Sequence, residues 1–284
     1  MNEARHRREF ARCKVNLTLH VTGRRDDGYH LLDSLVVFPD IGDVVEVAPS
    51  AALTLEVRGK FADALGGAGN LVLRAAALCD AQGRGAALRL TKNLPVASGI
   101  GGGSADAAAT VRLLCRYWKL DPPAPEALLS LGADVPVCLD GRAARMRGIG
   151  ECLEPVAGLP RFWLVLANCG APVATAEVFV APRRRFGEAM PAALPDLRDL
   201  DGLVRFLGRQ RNDLEAAAVR LCGGIGDVLE AMRATDDCRL ARMSGSGGTC
   251  FGVFGTEAQA RAARGRLRAM HPEWWVEAGP VNPP

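Results

Sequence analysis

Leu94-Pro95-Val96-Ala97-Ser98-Gly99-Ile100-Gly101-Gly102-Gly103-Ser104-Ala105-Asp106-Ala107-Ala108-Ala109 feeds a glycine-rich loop straight into an alanine-rich helix. Four glycines within five positions allow positive φ and let a ligand approach the backbone with no Cβ in the way. Their N–H groups can converge on an anion at the helix N-terminus, where the helix dipole also favours negative charge. Ser104 can cap the helix or reach a phosphate or a metal. The reading is a polyphosphate cradle; its bland rival is a flexible loop ending in an ordinary N-cap.

No Gly-Lys-Ser/Thr ends the loop, and the nearest lysine, Lys92, precedes it, so it is not a Walker A loop. Gly99-x-Gly101-x-x-Ser104 lacks the third glycine of a dinucleotide fingerprint and falls in mid-chain. Upstream, residues 87–91 alternate like a strand; downstream, Val111, Leu113, Leu114 and Trp118 continue a helix. Farther out, residues 13–21 alternate, with Val15, Leu17, Leu19 and Val21 on one face and Lys14, Asn16, Thr18 and His20 on the other. Strands are expected over 31–38, 43–47, 53–58, 142–147, 162–167, 249–254 and 275–278. Helices are expected over 70–81, over a short stretch opened by Pro122, Pro123 and Pro125 and running through Leu131, and over 174–180, 213–220, 225–234 and 257–270, with a loop over 182–195. A second glycine loop, Ser244-Gly245-Ser246-Gly247-Gly248, leads into the strand at 249. It either closes around a substrate phosphate or simply turns tightly. Strands and helices mix without strict βαβ alternation, which points to an α+β fold.

The chain has 284 residues, enough for two modest domains or one large one, and its 49% apolar and 24% charged content is that of a soluble globular protein. A net charge of +3 gives no argument for nucleic acid, and no apolar run reaches membrane-spanning length. The N-terminus is basic at Arg5, His6, Arg7 and Arg8 with no apolar signal stretch after it. Arg183-Arg184-Arg185 reads as a solvated basic loop. Nine cysteines without a C-x-x-C pair suggest reduced thiols in a cytoplasm, with Cys79, Cys115, Cys138, Cys169 and Cys250 as small core residues. Four scattered histidines argue against a structural zinc site.

Phosphoryl transfer to a hydroxyl needs positioning, charge neutralisation and a proton acceptor. Asp134 is the candidate base, between Gly132-Ala133, which allow close approach, and Val135-Pro136, which stiffen the turn. Its alternative is a turn aspartate. Lys14 is its candidate partner, able to hold the carboxylate ionised and orient the hydroxyl; the alternative is a solvated strand lysine. Asp106 reads first as an acid that favours the helix dipole, and second as a contributor to magnesium binding. Tyr29 and His30 follow a tight turn and offer two flat, partly polar rings for a nucleobase.

Pro-x-x-x-Gly-Ile-Gly-Gly-Gly-Ser-Ala-Asp-Ala-Ala resembles the ATP loop of the GHMP kinases, small-molecule kinases that include galactose, homoserine and mevalonate kinases. Lys14-Val15-Asn16-Leu17, Thr22-Gly23-Arg24-Arg25-Asp26-Asp27-Gly28-Tyr29-His30 and Gly132-Ala133-Asp134-Val135-Pro136 fit the branch whose substrate carries cytidine diphosphate. The resemblance implies an ATP-binding amino-terminal domain like domain 2 of ribosomal protein S5, with a left-handed crossover, over residues 1–156. It implies a ferredoxin-like carboxyl-terminal domain over 157–284. It further implies transfer of the γ-phosphate of ATP, with Mg2+, to the 2-hydroxyl of 4-(cytidine 5′-diphospho)-2-C-methyl-D-erythritol, in the non-mevalonate route to isoprenoid precursors. Lys14 and Asp134 would be the catalytic pair. Pro95, Val96, Ala97, Ser98, Gly99, Ile100, Gly101, Gly102, Gly103, Ser104 and Ala105 would hold ATP, with Ser104 as a candidate metal ligand. Asn16, Tyr29, His30, Asp134, Thr175 and Phe179 would bind the cytidine substrate. The implied partner is a small molecule, not nucleic acid or membrane, and the protein a cytoplasmic monomer or homodimer. The rivals are another GHMP kinase, such as homoserine kinase, and an inactive nucleotide-binding protein on the same fold. Cys13, where the family has a small alanine, and Val96-Ala97-Ser98, where it often has another glycine, are departures.

Overall fold

The computed structural model describes residues 7–65, 70–79, 83–180 and 186–281. The Arg183-Arg184-Arg185 run, Arg5 and His6, and the ends of the expected 70–81 helix and 182–195 loop at residues 80–81 and 182–185 lie outside the described residues. The chain forms two compact units, each assembled from separated stretches. One comprises Met1–Cys13, Gly42–Val96 and Gly101–Gly141; the other comprises Lys14–Ile41, Ala97–Ile100 and Arg142–Pro284.

The first unit is built on a four-stranded sheet in the order Arg8–Arg12, Gly42–Ala48, Ala86–Thr91, Leu53–Arg58. Only the last pair is parallel, and a parallel pair needs a crossover. The helix Leu71–Cys79, begun by Asn70 accepting from the Val72 N–H at 2.9 Å, lies within that crossover. Ala86–Thr91 buries Ala86, Leu88 and Leu90, as its alternation requires. The helix Gly102–Trp118 buries Ala105, Ala107, Ala108, Ala109, Val111, Leu113 and Leu114, small residues that let it pack closely on its neighbours. Arg112 on this helix donates to the carbonyls of Cys138 (2.7 Å) and Leu139 (3.1 Å) and so ties down the helix Val135–Asp140.

The second unit holds two sheets. In one, Val15–Asn16 and Ala144–Gly148 flank His30–Val37, Cys152–Pro155 follows Ala144–Gly148, and His20–Arg24 also pairs with His30–Val37. The other is antiparallel throughout, in the order Leu240–Met243, Thr249–Phe254, Phe162–Asn168, Trp275–Val281. Numbered along the chain that order is 2-3-1-4, with the helices Gly223–Arg233 and Glu257–Met270 after the first and third strands. This is the ferredoxin-like arrangement, and the fold is α+β as expected. A capping box starts the second helix: the Gln259 N–H donates to Thr256 Oγ1 at 3.3 Å, and Gln259 Oε1 accepts from the Thr256 N–H at 3.0 Å. Val228, Leu229, Met232, Ala263 and Leu267 pack against Val165, Phe254 and Val276, and Leu19 and Val21 join this core.

The expected boundary at 156 separates the sheets, two before it and one after, while the compact units group the second sheet with the third. The single strand expected over 13–21 is broken. The ladder with His30–Val37 is interrupted between Asn16 and His20: the Leu17 N–H still donates to the Leu35 carbonyl at 2.8 Å, but the Leu19 N–H donates to the Arg211 carbonyl at 2.9 Å while its carbonyl takes the Asp213 N–H at 2.8 Å. Both faces are buried, so Lys14, Asn16, Thr18 and His20 are as enclosed as their apolar neighbours. The turn expected after Asp134 is the start of a helix, with Pro136 in its first turn. Four of the five expected core cysteines are buried; Cys169 is half-buried. Among the described residues no helix is long and apolar enough to cross a membrane.

Candidate active site

In the first unit the glycine loop ends as a helix N-terminus. Gly101 is the N-cap at φ 62°, and the first intrahelical bond runs from the Ala105 N–H to the Gly101 carbonyl at 2.8 Å. The N–H groups of Gly102, Gly103 and Ser104 precede that bond and leave the helix end as donors. Ser104 is thus the third helical residue rather than the cap. Gly102 has ordinary helical backbone; positive φ falls on Gly101, on Gly99 (74°) and on the non-glycine Ala97 (50°). A Cβ at Gly132 would stand 3.7 Å from Ser104 Oγ, so the Gly132-Ala133-Asp134 turn comes down beside that hydroxyl. Asp134 is half-buried and is the N-cap of Val135–Asp140, without a side-chain capping bond.

Behind the helix N-terminus lies a cluster that the sequence did not announce. Lys92 Nζ is fully enclosed between Asp43 Oδ2 (2.5 Å) and Asp106 Oδ2 (2.6 Å). A Cβ on Gly102 would reach that ammonium at 3.2 Å. Asp43 also accepts the N–H groups of Asn93 (2.5 Å) and Leu94 (2.9 Å), fixing the turn into the loop. Burial works to lower the Lys92 pKa, but the facing Asp106 and Asp43 carboxylates outweigh it and hold the ammonium charged. Burial drives the Asp106 carboxyl well above the usual range, with Lys92 opposing and Asp43 reinforcing. One ammonium faces two buried carboxyls, and Asp106 Oδ1 has no hydrogen-bond partner. Asp106 therefore lies beyond the first helical turn, and enclosed as it is it does not fit a magnesium ion that keeps several waters.

In the second unit the two glycine loops lock together. Ser244 Oγ, fully buried, accepts the Asn16 N–H at 3.0 Å and donates to the Gly99 carbonyl at 3.0 Å. The Thr249 N–H donates to the Ser98 carbonyl at 3.1 Å, and the Lys14 N–H to the Ile100 carbonyl at 2.9 Å. Asn212 Nδ2 ties down the carbonyls of Met243 (2.8 Å) and Gly245 (2.9 Å). The second loop is therefore a clamp on Ala97–Ile100. Ser98 and Ile100 are buried within this unit, while Pro95 and Val96 belong to the first, with Gly101 to Ala105.

Lys14 is 5% exposed and Asn16 is 3% exposed. Asn16 Nδ2 donates to Ser34 Oγ at 2.7 Å, and its Oδ1 is buried without a partner. Tyr29 leaves the Asp27-Gly28 turn, where Gly28 has φ 92°, and its side chain is 61% exposed. The His30 ring stands 5.0 Å from that of Phe179 at 35°. Phe179 and Thr175 share the helix Thr175–Val180, and Thr175 Oγ1 lies 2.9 Å from Ser246 Oγ. His30, Phe179, Thr175, Asn16 and the 97–100 segment are thus gathered in one unit, with Ser104 and Asp134 in the other. Ser244 and Asn212 were not among the expected site residues; a second glycine loop was the signal for Ser244, and Asn212 had none.

Residues 70–143 match the family described as GHMP kinases N terminal domain, and residues 189–273 match GHMP kinases C terminal. The chain is 57% identical over 270 residues to 4-diphosphocytidyl-2-C-methyl-D-erythritol kinase of Cereibacter sphaeroides (strain ATCC 17025 / ATH 2.4.3), covering 94% of this chain and 96% of that one. It is 54% identical over 279 residues to the protein of that name in Paracoccus denitrificans (strain Pd 1222), covering 98% of each. A crystal structure of 4-(cytidine 5′-diphospho)-2C-methyl-D-erythritol kinase superposes with a TM-score of 0.79 at 34% identity, over 98% of this chain and 100% of that chain.

Proposed function

The chain belongs to the GHMP kinases, in the family of the 4-diphosphocytidyl-2-C-methyl-D-erythritol kinases, and from that premise we propose that it transfers the γ-phosphate of ATP to the 2-hydroxyl of 4-(cytidine 5′-diphospho)-2-C-methyl-D-erythritol. This is a step toward isoprenoid precursors that does not pass through mevalonate. The 57% identity over nearly the whole chain carries the assignment.

The N–H groups of Gly102, Gly103 and Ser104 would take the ATP phosphates, and the Ser104 hydroxyl would reach a phosphate oxygen or the metal. Magnesium, when bound, neutralises phosphate charge. Pro95 to Gly101 would bend around the nucleotide, supplying backbone rather than side chains at Ile100, as Ala105 also would. Asp134 would accept the proton of the 2-hydroxyl or orient that group, with Lys14 supplying the complementary charge. Asn16, with its unpartnered Oδ1, would accept a substrate donor. Tyr29, His30 and Phe179 would take the cytosine by stacking and by its edge, with Thr175 beside them. Residues 1–156 and 157–284 are read as the amino- and carboxyl-terminal homology domains, since the two family matches fall one on each side. Free cysteines and a net charge of +3 support a cytoplasmic enzyme of small molecules, as a monomer or homodimer.

The test is ADP release with the cytidine substrate against homoserine, mevalonate and galactose, with and without magnesium. Turnover confined to the cytidine substrate is expected. Preference for homoserine would overturn the substrate, and no turnover with any of them would leave the inactive binding protein.

A further inference from the structure

Exposed apolar side chains stand next, along the chain or in space, to the aromatic residues of the second unit. Tyr29, 61% exposed, directly precedes His30; Val180, 77% exposed, directly follows Phe179; and Phe186, 48% exposed, brings its ring to 6.4 Å from His30 at 67°, an edge-on contact. His30 thus has two aromatic neighbours, Phe179 tilted at 35° and Phe186 edge-on at 67°. Two aromatic rings beside one polar ring, with Phe186 half-exposed, mark a recognition surface rather than chance exposure.

Phe186 is not on a helix or a strand, yet the chain that carries it is held hard. The Gly187 N–H donates to the Val21 carbonyl at 3.0 Å. The Glu188 carbonyl takes Arg211 Nη2 at 2.6 Å and His20 Nδ1 at 2.9 Å. The Met190 N–H donates to Asp33 Oδ2 at 2.8 Å. Arg145 forms a buried bidentate pair with Asp33 (2.8 and 2.7 Å) and spends its remaining donors on the carbonyls of Met190, Pro191 and Ala192 at 2.9–3.1 Å. A fully enclosed arginine–aspartate pair aimed at three consecutive carbonyls is an expensive way to hold an ordinary surface loop. It is suited to presenting a residue that must be in place before the ligand arrives.

We propose that Phe186 is a further aromatic wall of the base subsite, beside Tyr29, His30 and Phe179, presented to the pyrimidine of the cytidine diphosphate substrate by the strap 187–192 that the Asp33–Arg145 pair locks down. This rests on the cytidine-substrate reading and adds to it a residue outside the expected set. Phe186 acts on ground-state binding, so its signature is KM for one substrate only.

The experiment compares Phe186→Ala, Phe186→Trp and Phe179→Ala in the full-length enzyme. KM is measured for the cytidine substrate and for ATP, along with the affinity for cytidine 5′-diphosphate alone by calorimetry. Phe186→Ala should raise KM for the cytidine substrate and weaken cytidine 5′-diphosphate about five- to tenfold, at the low end of base–aromatic stacking. KM for ATP and the melting temperature should stay unchanged, because Phe186 is exposed and its truncation opens no cavity. Phe186→Trp should retain binding. A raised cytidine KM in Phe179→Ala with none in Phe186→Ala overturns this inference alone. No change in either alanine variant overturns the base subsite and the inference with it, as does an equal rise in KM for ATP.

Discussion

Asp134 sits at the start of a helix with φ −86° and ψ −10°, helical backbone rather than the extended backbone from which a side chain caps the first turn. The turn before it closes on Ser104, at the helix N-terminus proposed to take the ATP phosphates. Asp134→Asn should keep the fold and ATP binding and lower kcat by ~10²-fold or more, the usual contribution of a general base. Single-turnover phosphoryl transfer checks it, and a folded variant at near wild-type rate would end the assignment. A second residue, His20, makes a statement about pH. Its ring is 1% exposed, Nδ1 donates to the Glu188 carbonyl, and Nε2 is buried without a hydrogen-bond partner. Burial lowers its pKa below the ordinary 6.5, the Glu188 carbonyl opposes, Arg211 lowers it further, and Asp213 and Asp33 pull the other way. The unfolded chain therefore binds the proton first as pH falls through 6.5. The neutral ring's contribution is complete above that value and is lost progressively below it. The melting temperature should drop more steeply from pH 7.5 to 5.5 in the wild type than in His20→Asn, which keeps a donor for Glu188 and does not titrate. Parallel slopes would show that His20 does not set the acid sensitivity.

Among the elements, the two glycine loops separate glycines that shape the backbone from glycines that only permit an approach. Gly99, at φ 74°, would put a Cβ 2.5 Å from the Ser244 carbonyl oxygen and 2.8 Å from the Gly247 nitrogen. Neither neighbour can yield, because both belong to the clamp. Gly99→Ala should cost about 2 kcal/mol or more, combining left-handed strain with the clash, and should raise KM for ATP as the loop shifts. Gly265→Ala is the matched control. Gly265 lies exposed in the helix Glu257–Met270 with nothing within 4 Å of a built Cβ, so alanine should stabilise by about 0.8–1 kcal/mol. Denaturant unfolding of both variants should give opposite signs, and a neutral Gly99→Ala would remove the clamp from the argument. The same elements show what a sequence can disclose. Strands 53–58 and 249–254 and the helix over 257–270 are legible to the residue, because 53–58 alternates, 249–254 is an apolar run opened by a glycine loop, and 257–270 carries a 3.6-residue pattern. The helix Leu200–Gly208, absent from the expected elements, is encoded in the Asp199 cap and the spacing of Leu203 and Leu207. The strand Arg8–Arg12 was not legible, since arginines at its ends mask an alternation of only a few residues. At the site, the glycine loop, Lys14 and Tyr29-His30 announce themselves through composition. The Asp43–Lys92–Asp106 cluster joins residues 49 and 14 positions apart, and no local pattern encodes it.

For the molecule as a whole, the division proposed at residue 156 meets a second unit assembled from both sides of it. Residues 14–41 and 142–155 supply the sheet centred on His30–Val37, and residues 157–281 supply the ferredoxin-like sheet and its helices. Within that unit the two parts are bound closely. Arg242, itself buried, donates to the Leu17 carbonyl at 2.8 Å, the Val21 N–H donates to Asp213 Oδ2 at 2.8 Å, and Leu19 exchanges backbone bonds with Arg211 and Asp213. Leu19 and Val21 also complete the apolar core whose other members, Val165, Leu214, Met243 and Phe254, all come after residue 156. Homology domains are units of descent; whether they are units of stability depends on where the buried contacts close. Cutting the chain between 156 and 157 should therefore leave 157–284 with an open core and 1–156 with strands whose buried polar face has lost its partners. Expressed singly, the 157–284 fragment should lack a cooperative thermal transition and bind a hydrophobic dye. Co-expressed with 1–156, it should recover a single transition and kinase activity. A sharp transition in isolated 157–284 close to that of the whole chain would show that the carboxyl-terminal domain stands alone. In that case the contacts from Leu19, Val21 and Asp33 would only decorate a core that is already complete.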